Sequence, residues 1–165
     1  IIGLMVAIER PDLVKSLVAI GANYHYNCGL NLKVFDGNVE EEAKDKFATR
    51  TGQPRELLVE IIHKAHKVWS SEPRITKSQL KKIKCPTLIV AGDDEPFSTE
   101  HTVSLYESIP NAQLSIVPGT SHAVLKEKPR LVKQILQDFY RDPSFPITLN
   151  PNRRLKETLR IRGQA

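Results

Sequence analysis

The chain has 165 residues, 40% hydrophobic and 26% charged, the size and balance of one globular domain with a real core. Its net charge of +5 is concentrated late, at Arg153, Arg154, Lys156, Arg160 and Arg162, and no basic stretch is interleaved with aromatics, so a solvated basic tail is favoured over a nucleic-acid surface. No apolar run is long enough to span a bilayer, and Cys28 and Cys85 lack any metal or C-x-x-C spacing, which points to a reducing, cytoplasmic setting.

The N-terminal run Ile1–Ile8 is apolar but has neither a basic start nor a small-residue cleavage site, so it does not read as a signal peptide. The only methionine is Met5, and Ile1 reads as a cut end. The pattern predicts a helix over 1–10, closed by Pro11, with Gly3 and Ala7 spaced to let it approach a sheet. Residues 15–21 (Lys-Ser-Leu-Val-Ala-Ile-Gly) form a short apolar run with a glycine stop, the signature of a buried parallel strand.

Residues 22–84 carry helical patterns and no strand signal. A highly charged helix is predicted over 37–50. A second follows Pro54, with Leu57, Leu58, Ile61, Ile62, Ala65, Val68 and Trp69 on one stripe. A third spans 76–82, with Thr76 or its neighbour as cap. Alternation then resumes: a strand over 86–91, a helix capped by Ser98 or Thr99 and running to Ile109, a turn at Pro110–Asn111, a strand over 113–117, and a helix over 129–140. Residues 142–165 read as an extended basic tail with one last helical turn. The expected divisions are therefore 1–21 with 85–141 as core, 22–84 as a helical insert and 142–165 as tail.

Two loops stand out because each follows an apolar strand. One reads Gly92-Asp93-Asp94-Glu95-Pro96-Phe97; the other reads Pro118-Gly119-Thr120-Ser121-His122. In open parallel sheets, ligands bind beyond the carboxyl ends of the strands, which is where both loops lie. A histidine acting as base needs one ring nitrogen oriented by an acceptor, and a carboxylate on the neighbouring loop can supply it. The competing reading of His122 is a loop histidine satisfied by a backbone carbonyl. His63 and His66 lie three apart on the second insert helix, but a metal would need further ligands, so they read as a solvated face and no metal is expected. Trp69, Phe35 and Tyr24 fit either a substrate pocket or packing of the insert.

These segments resemble the C-terminal half of the α/β-hydrolase fold family. Gly92-Asp93-Asp94-Glu95-Pro96 is similar to its Gly-Asp-x-Asp-Pro acid loop, and Pro118-Gly119-Thr120-Ser121-His122 with Glu127-Lys128-Pro129 to its Pro-Gly-x-x-His…Glu-x-Pro segment. Ile2-Gly3-Leu4 through Val18 resembles the helix and strand after the nucleophile elbow. Gly21-Ala22-Asn23 resembles the lead into the cap of the valacyclovir-hydrolase-like, small-molecule serine hydrolase branch. The resemblance spans about residues 1–140 and departs in two places. No G-x-S-x-G elbow is present; Ser121, in the histidine loop, is not expected to replace it. The family's acid position holds Glu95, not Asp, with Asp94 as the alternative and Asp93 as a turn-former.

The resemblance implies an α/β chain of parallel strands and flanking helices with a small helical cap, 22–84. It implies a serine hydrolase acting on ester, amide or related bonds of a small molecule, without cofactor, in which His122 is the base and Glu95 orients it. The nucleophile would come from an N-terminal half of the same fold. The expected partners are that half or a second copy, with no nucleic acid and no membrane. The alternative is a non-catalytic fragment or assembly subunit that keeps this half of the fold for packing.

Overall fold

A computed structural model describes residues 1–30, 38–143 and 147–163. The elements in chain order are α1 (Ile2–Glu9), β1 (Leu17–Ile20), α2 (Glu41–Thr51), α3 (Leu57–Trp69), α4 (Lys77–Leu80), β2 (Thr87–Asp94), α5 (Thr99–Ser108), β3 (Ala112–Ser121), α6 (Val124–Glu127), α7 (Pro129–Arg141) and α8 (Leu155–Ile161). Local chemistry accounts for several boundaries. Thr76 accepts from the Gln79 amide while Gln79 reaches back, a capping box that starts α4. Ser98 Oγ accepts from the His101 amide to start α5, and Pro129 opens α7.

The three strands form one parallel sheet in the order β1-β2-β3. Leu17 pairs with Thr87, and Thr87 with Ala112. The central strand is covered on both faces, so every residue from Thr87 to Gly92 is buried. Ile89 points to one face, with Leu4, Ala7, Leu105 and Ile109. Leu88 and Val90 point to the other, with Val117, Val132 and Phe139. Each Leu, Ile, Val or Phe among them contributes about 1.5–3 kcal/mol by leaving water. Gly3 lets α1 lie close to β1: a Cβ there would sit 3.1 Å from Leu17 Cδ1.

Helices α2 and α3 are joined by Arg55, which pairs with Glu41 and, at 3.2 Å, with Asp45. No residue of either helix is buried, and the apolar stripe of α3 leaves Ile61 and Val68 exposed. The C-terminal basic segment is less solvated than its composition predicts. Arg153 donates to the carbonyls of Tyr106 (2.9 Å), Ile109 (2.6 Å) and Ala112 (3.2 Å), and Arg154 also donates to Ala112. These carbonyls lie at the C-terminal end of α5 and the start of β3, where a helix's last C=O groups lack internal partners. Among the described residues, no helix is long and apolar enough to cross a membrane.

Candidate active site

The site lies at the carboxyl ends of all three strands, and an irregularity in the sheet shapes it. Gly92 pairs with Val117, but Asp94 pairs with Ser121, so β3 spends four steps where β2 spends two. The extra residues remove Gly119 and Thr120 from the regular ladder. Their amides donate instead to the two carboxylate oxygens of Asp93, at 2.9 and 3.0 Å. These two bonds hold the Asp93 carboxyl below its ordinary pKa. Asp93 is therefore a cross-strand clamp at the end of β2 rather than a turn-former. The strands close so tightly that a Cβ on Gly92 would lie 2.2 Å from the Thr120 carbonyl oxygen and 2.6 Å from that of Ser121.

The structure brings Glu95 and His122 together. Glu95 Oε2 lies 2.6 Å from His122 Nδ1, and Glu95 Oε1 accepts from the Gly92 amide at 3.1 Å. The Glu95 side chain is 3% exposed and that of His122 is 59% exposed. An ionised carboxylate only accepts, so Nδ1 carries the proton and Nε2 is the nitrogen able to take another. Asp94, the alternative acid, is exposed and pairs along the sheet with Ser121. Beneath the imidazole lies Gly21, just beyond β1 at φ +53°, where a Cβ would come within 2.7 Å of His122 Cε1 and 2.8 Å of Nδ1.

Ser121 Oγ is engaged within its own loop. It donates to Glu127 Oε1 at 2.8 Å and accepts from the Ala123 amide at 3.2 Å. Beside the pair, Phe97 stands edge-to-face with His122, centroids 6.3 Å apart, and with His101 at 6.1 Å. His101 has no sequence signal that marks it. It is 7% exposed, stacks on Tyr24 at 4.2 Å, and accepts the Tyr24 amide at Nε2. Burial, helped by the charges of His25 and Lys77, lowers its pKa to about 4, so it is neutral. Tyr24 is thus a packing residue, with its hydroxyl on Ser104. Trp69 is half-buried, His63 is exposed, and Phe35 lies outside the described residues. Among the described residues no group of three or more His, Cys, Asp or Glu could hold a metal.

Solved structures share this architecture. A serine hydrolase involved in carbazole degradation superposes with a TM-score of 0.61 at 20% identity, covering 84% of this chain and 58% of its own. A thermophilic esterase gives 0.62 at 20% identity, covering 87% and 62%. This chain has part of an α/β-hydrolase fold. Among curated proteins, the monoacylglycerol lipase ABHD6 of Bos taurus is 32% identical over 87 residues, which are 52% of this chain and 24% of that protein. A Bacillus subtilis (strain 168) protein, provisionally named 2-succinyl-6-hydroxy-2,4-cyclohexadiene-1-carboxylate synthase, is 23% identical over 110 residues, 66% of this chain and 40% of its own length. This α/β-hydrolase-fold chain therefore spans less than half of these curated relatives. No family model matches it.

Proposed function

We propose that this chain supplies the acid and the histidine of a serine-hydrolase triad acting on an ester, amide or related bond of a small molecule. The observation that carries this reading is the buried Glu95 carboxylate, 2.6 Å from Nδ1 of an exposed histidine at the carboxyl end of a parallel sheet. In this role His122 Nε2 takes the proton of a serine hydroxyl as the serine attacks the carbonyl, then gives it to the leaving group. Glu95 holds the tautomer and stabilises the imidazolium. The hydrolase and esterase names of the structural neighbours support the reaction class.

The sequence contains no G-x-S-x-G, so the nucleophile and part of the oxyanion hole are assigned to residues outside it. The region between β1 and β2, with α2 and α3, would be the cap over the site. Two features support docking against the rest of such a fold. Strand β1 lies at the edge of the described sheet, and α1 exposes Ile2 (79%) and Met5 (50%). The missing elbow also favours a second reading, a non-catalytic subunit. Turnover of p-nitrophenyl acetate separates the two. The 165-residue chain alone should be inactive, and a longer polypeptide carrying it should be active and blocked by a serine-directed phosphonate. An inactive longer polypeptide selects the subunit reading; phosphonate-sensitive turnover by the chain alone overturns the split triad.

A further inference from the structure

We infer that Glu127 is a positioning residue for His122, acting through the backbone on both sides of the histidine. Its Oε2 accepts the Ser121 amide at 2.7 Å and its Oε1 accepts the Ser121 hydroxyl at 2.8 Å. That hydroxyl in turn accepts the Ala123 amide at 3.2 Å. One carboxylate thereby fixes the residue before His122 directly and the residue after it through a single hydroxyl. Asp93 already holds the amides of Gly119 and Thr120, so four of the five residues from 119 to 123 have their amides tied, and the remaining one is His122 itself.

The loop needs this support. It follows the end of β3, whose pairing with β2 is interrupted between Val117 and Ser121. The imidazole must also meet Glu95 within a narrow space, because Gly21 closes the floor beneath it. Glu127 lies at the end of the four-residue helix α6 and is exposed. Water can replace an exposed carboxylate as an amide acceptor at little cost to folding. What water cannot replace is the fixed direction of the loop, and a misplacement of about 1 Å in a reacting group costs on the order of 100-fold in rate.

The catalytic part of this inference rests on His122 being the base, so the test has two readouts in the assembled protein. The first is the far-downfield proton resonance of His122 Nδ1–H, which needs no turnover and is identified by its loss in His122→Gln. The second is kcat and KM for p-nitrophenyl acetate. Glu127→Ala should broaden or abolish the resonance and lower kcat roughly 10- to 100-fold with KM changed less than about twofold. Glu127→Gln, which can still contact both Ser121 groups, should restore most of both signals. Ser121→Ala, which keeps the amide bond and frees only Ala123, should fall between. A Glu127→Ala protein that keeps the resonance and kcat overturns the inference, as does a wild-type protein without the resonance. A wild type that shows the resonance but no turnover overturns the hydrolase reading alone.

Discussion

Replacing Gly21 with alanine should separate the stability of the fold from the geometry of the dyad. Gly21 has φ +53°, where a side chain costs about 1–2 kcal/mol. The added Cβ would also lie 2.7 and 2.8 Å from two atoms of the His122 ring and 3.4 Å from Glu95 Oε1. The ring is the part able to yield, since its side chain is 59% exposed while Glu95 is 3% exposed. It should therefore swing outward and leave the buried carboxylate with only the Gly92 amide, a further cost of about 1–3 kcal/mol. Gly52 is the control: it has φ +68°, and a Cβ there would meet nothing within 4 Å, so Gly52→Ala carries the backbone cost alone. The expected difference, about 2 kcal/mol, corresponds to roughly 4–8 °C in Tm for a folding unit of about 150–250 residues and to less in a larger one. Calorimetry of the two variants in the same assembly, with the His122 Nδ1–H resonance as local probe, measures it. Equal melting temperatures, with the resonance intact in Gly21→Ala, would mean that Gly21 does not set the position of the His122 ring.

The acid assignment predicts that Glu95→Gln lowers kcat far more than Asp94→Asn in an active longer polypeptide; the reverse order moves the acid to Asp94. His101 predicts a pH dependence of stability. Its folded-state pKa of about 4 lies below the usual 6.5, so the unfolded chain takes up the proton first and stability falls as pH drops from 6.5 to about 4. The loss is about 3 kcal/mol, and denaturant titrations across that range should show it in the wild type but not in His101→Gln. Asp93, with its lowered pKa, adds a loss in the same direction at lower pH, as its carboxylate is protonated and releases Gly119 and Thr120. The edge position of β1 and the exposed face of α1 predict that the chain by itself self-associates. Light scattering from a monodisperse, cooperatively melting monomer would contradict this.

The strand cores are legible because each is a short apolar run, but β2 and β3 continue past the expected stops at Ala91 and Val117, to Asp94 and Ser121. The helices are legible because caps such as Thr76 and Ser98 and the opening proline of α7 act over three or four residues. The neighbouring ends of β2 and β3 let the sequence pair His122 with an acidic loop, and the family resemblance puts Glu95 ahead of Asp94; the structure places Glu95 in contact with His122. What cannot be read depends on contacts distant in sequence. The irregularity that gives Asp93 its partners arises only when β3 is laid on β2. Gly21 reads as a strand stop because the ring above it is 101 residues away in the chain. Arg153 reads as solvated because its carbonyl partners belong to the end of α5 and the start of β3. His101 has no flanking signal, since the ring it stacks on and the amide it accepts belong to Tyr24, 77 residues earlier in the chain.

The role of the His122–Glu95 pair is tested most directly by the rate of fluorophosphonate labelling in a longer polypeptide carrying this sequence, followed by mapping of the modified residue. The label should fall on a serine outside these 165 residues, and His122→Ala should slow labelling by orders of magnitude while circular dichroism stays unchanged. Labelling at Ser121, or labelling of the outside serine at an undiminished rate in His122→Ala, would contradict the role given to the His122–Glu95 pair.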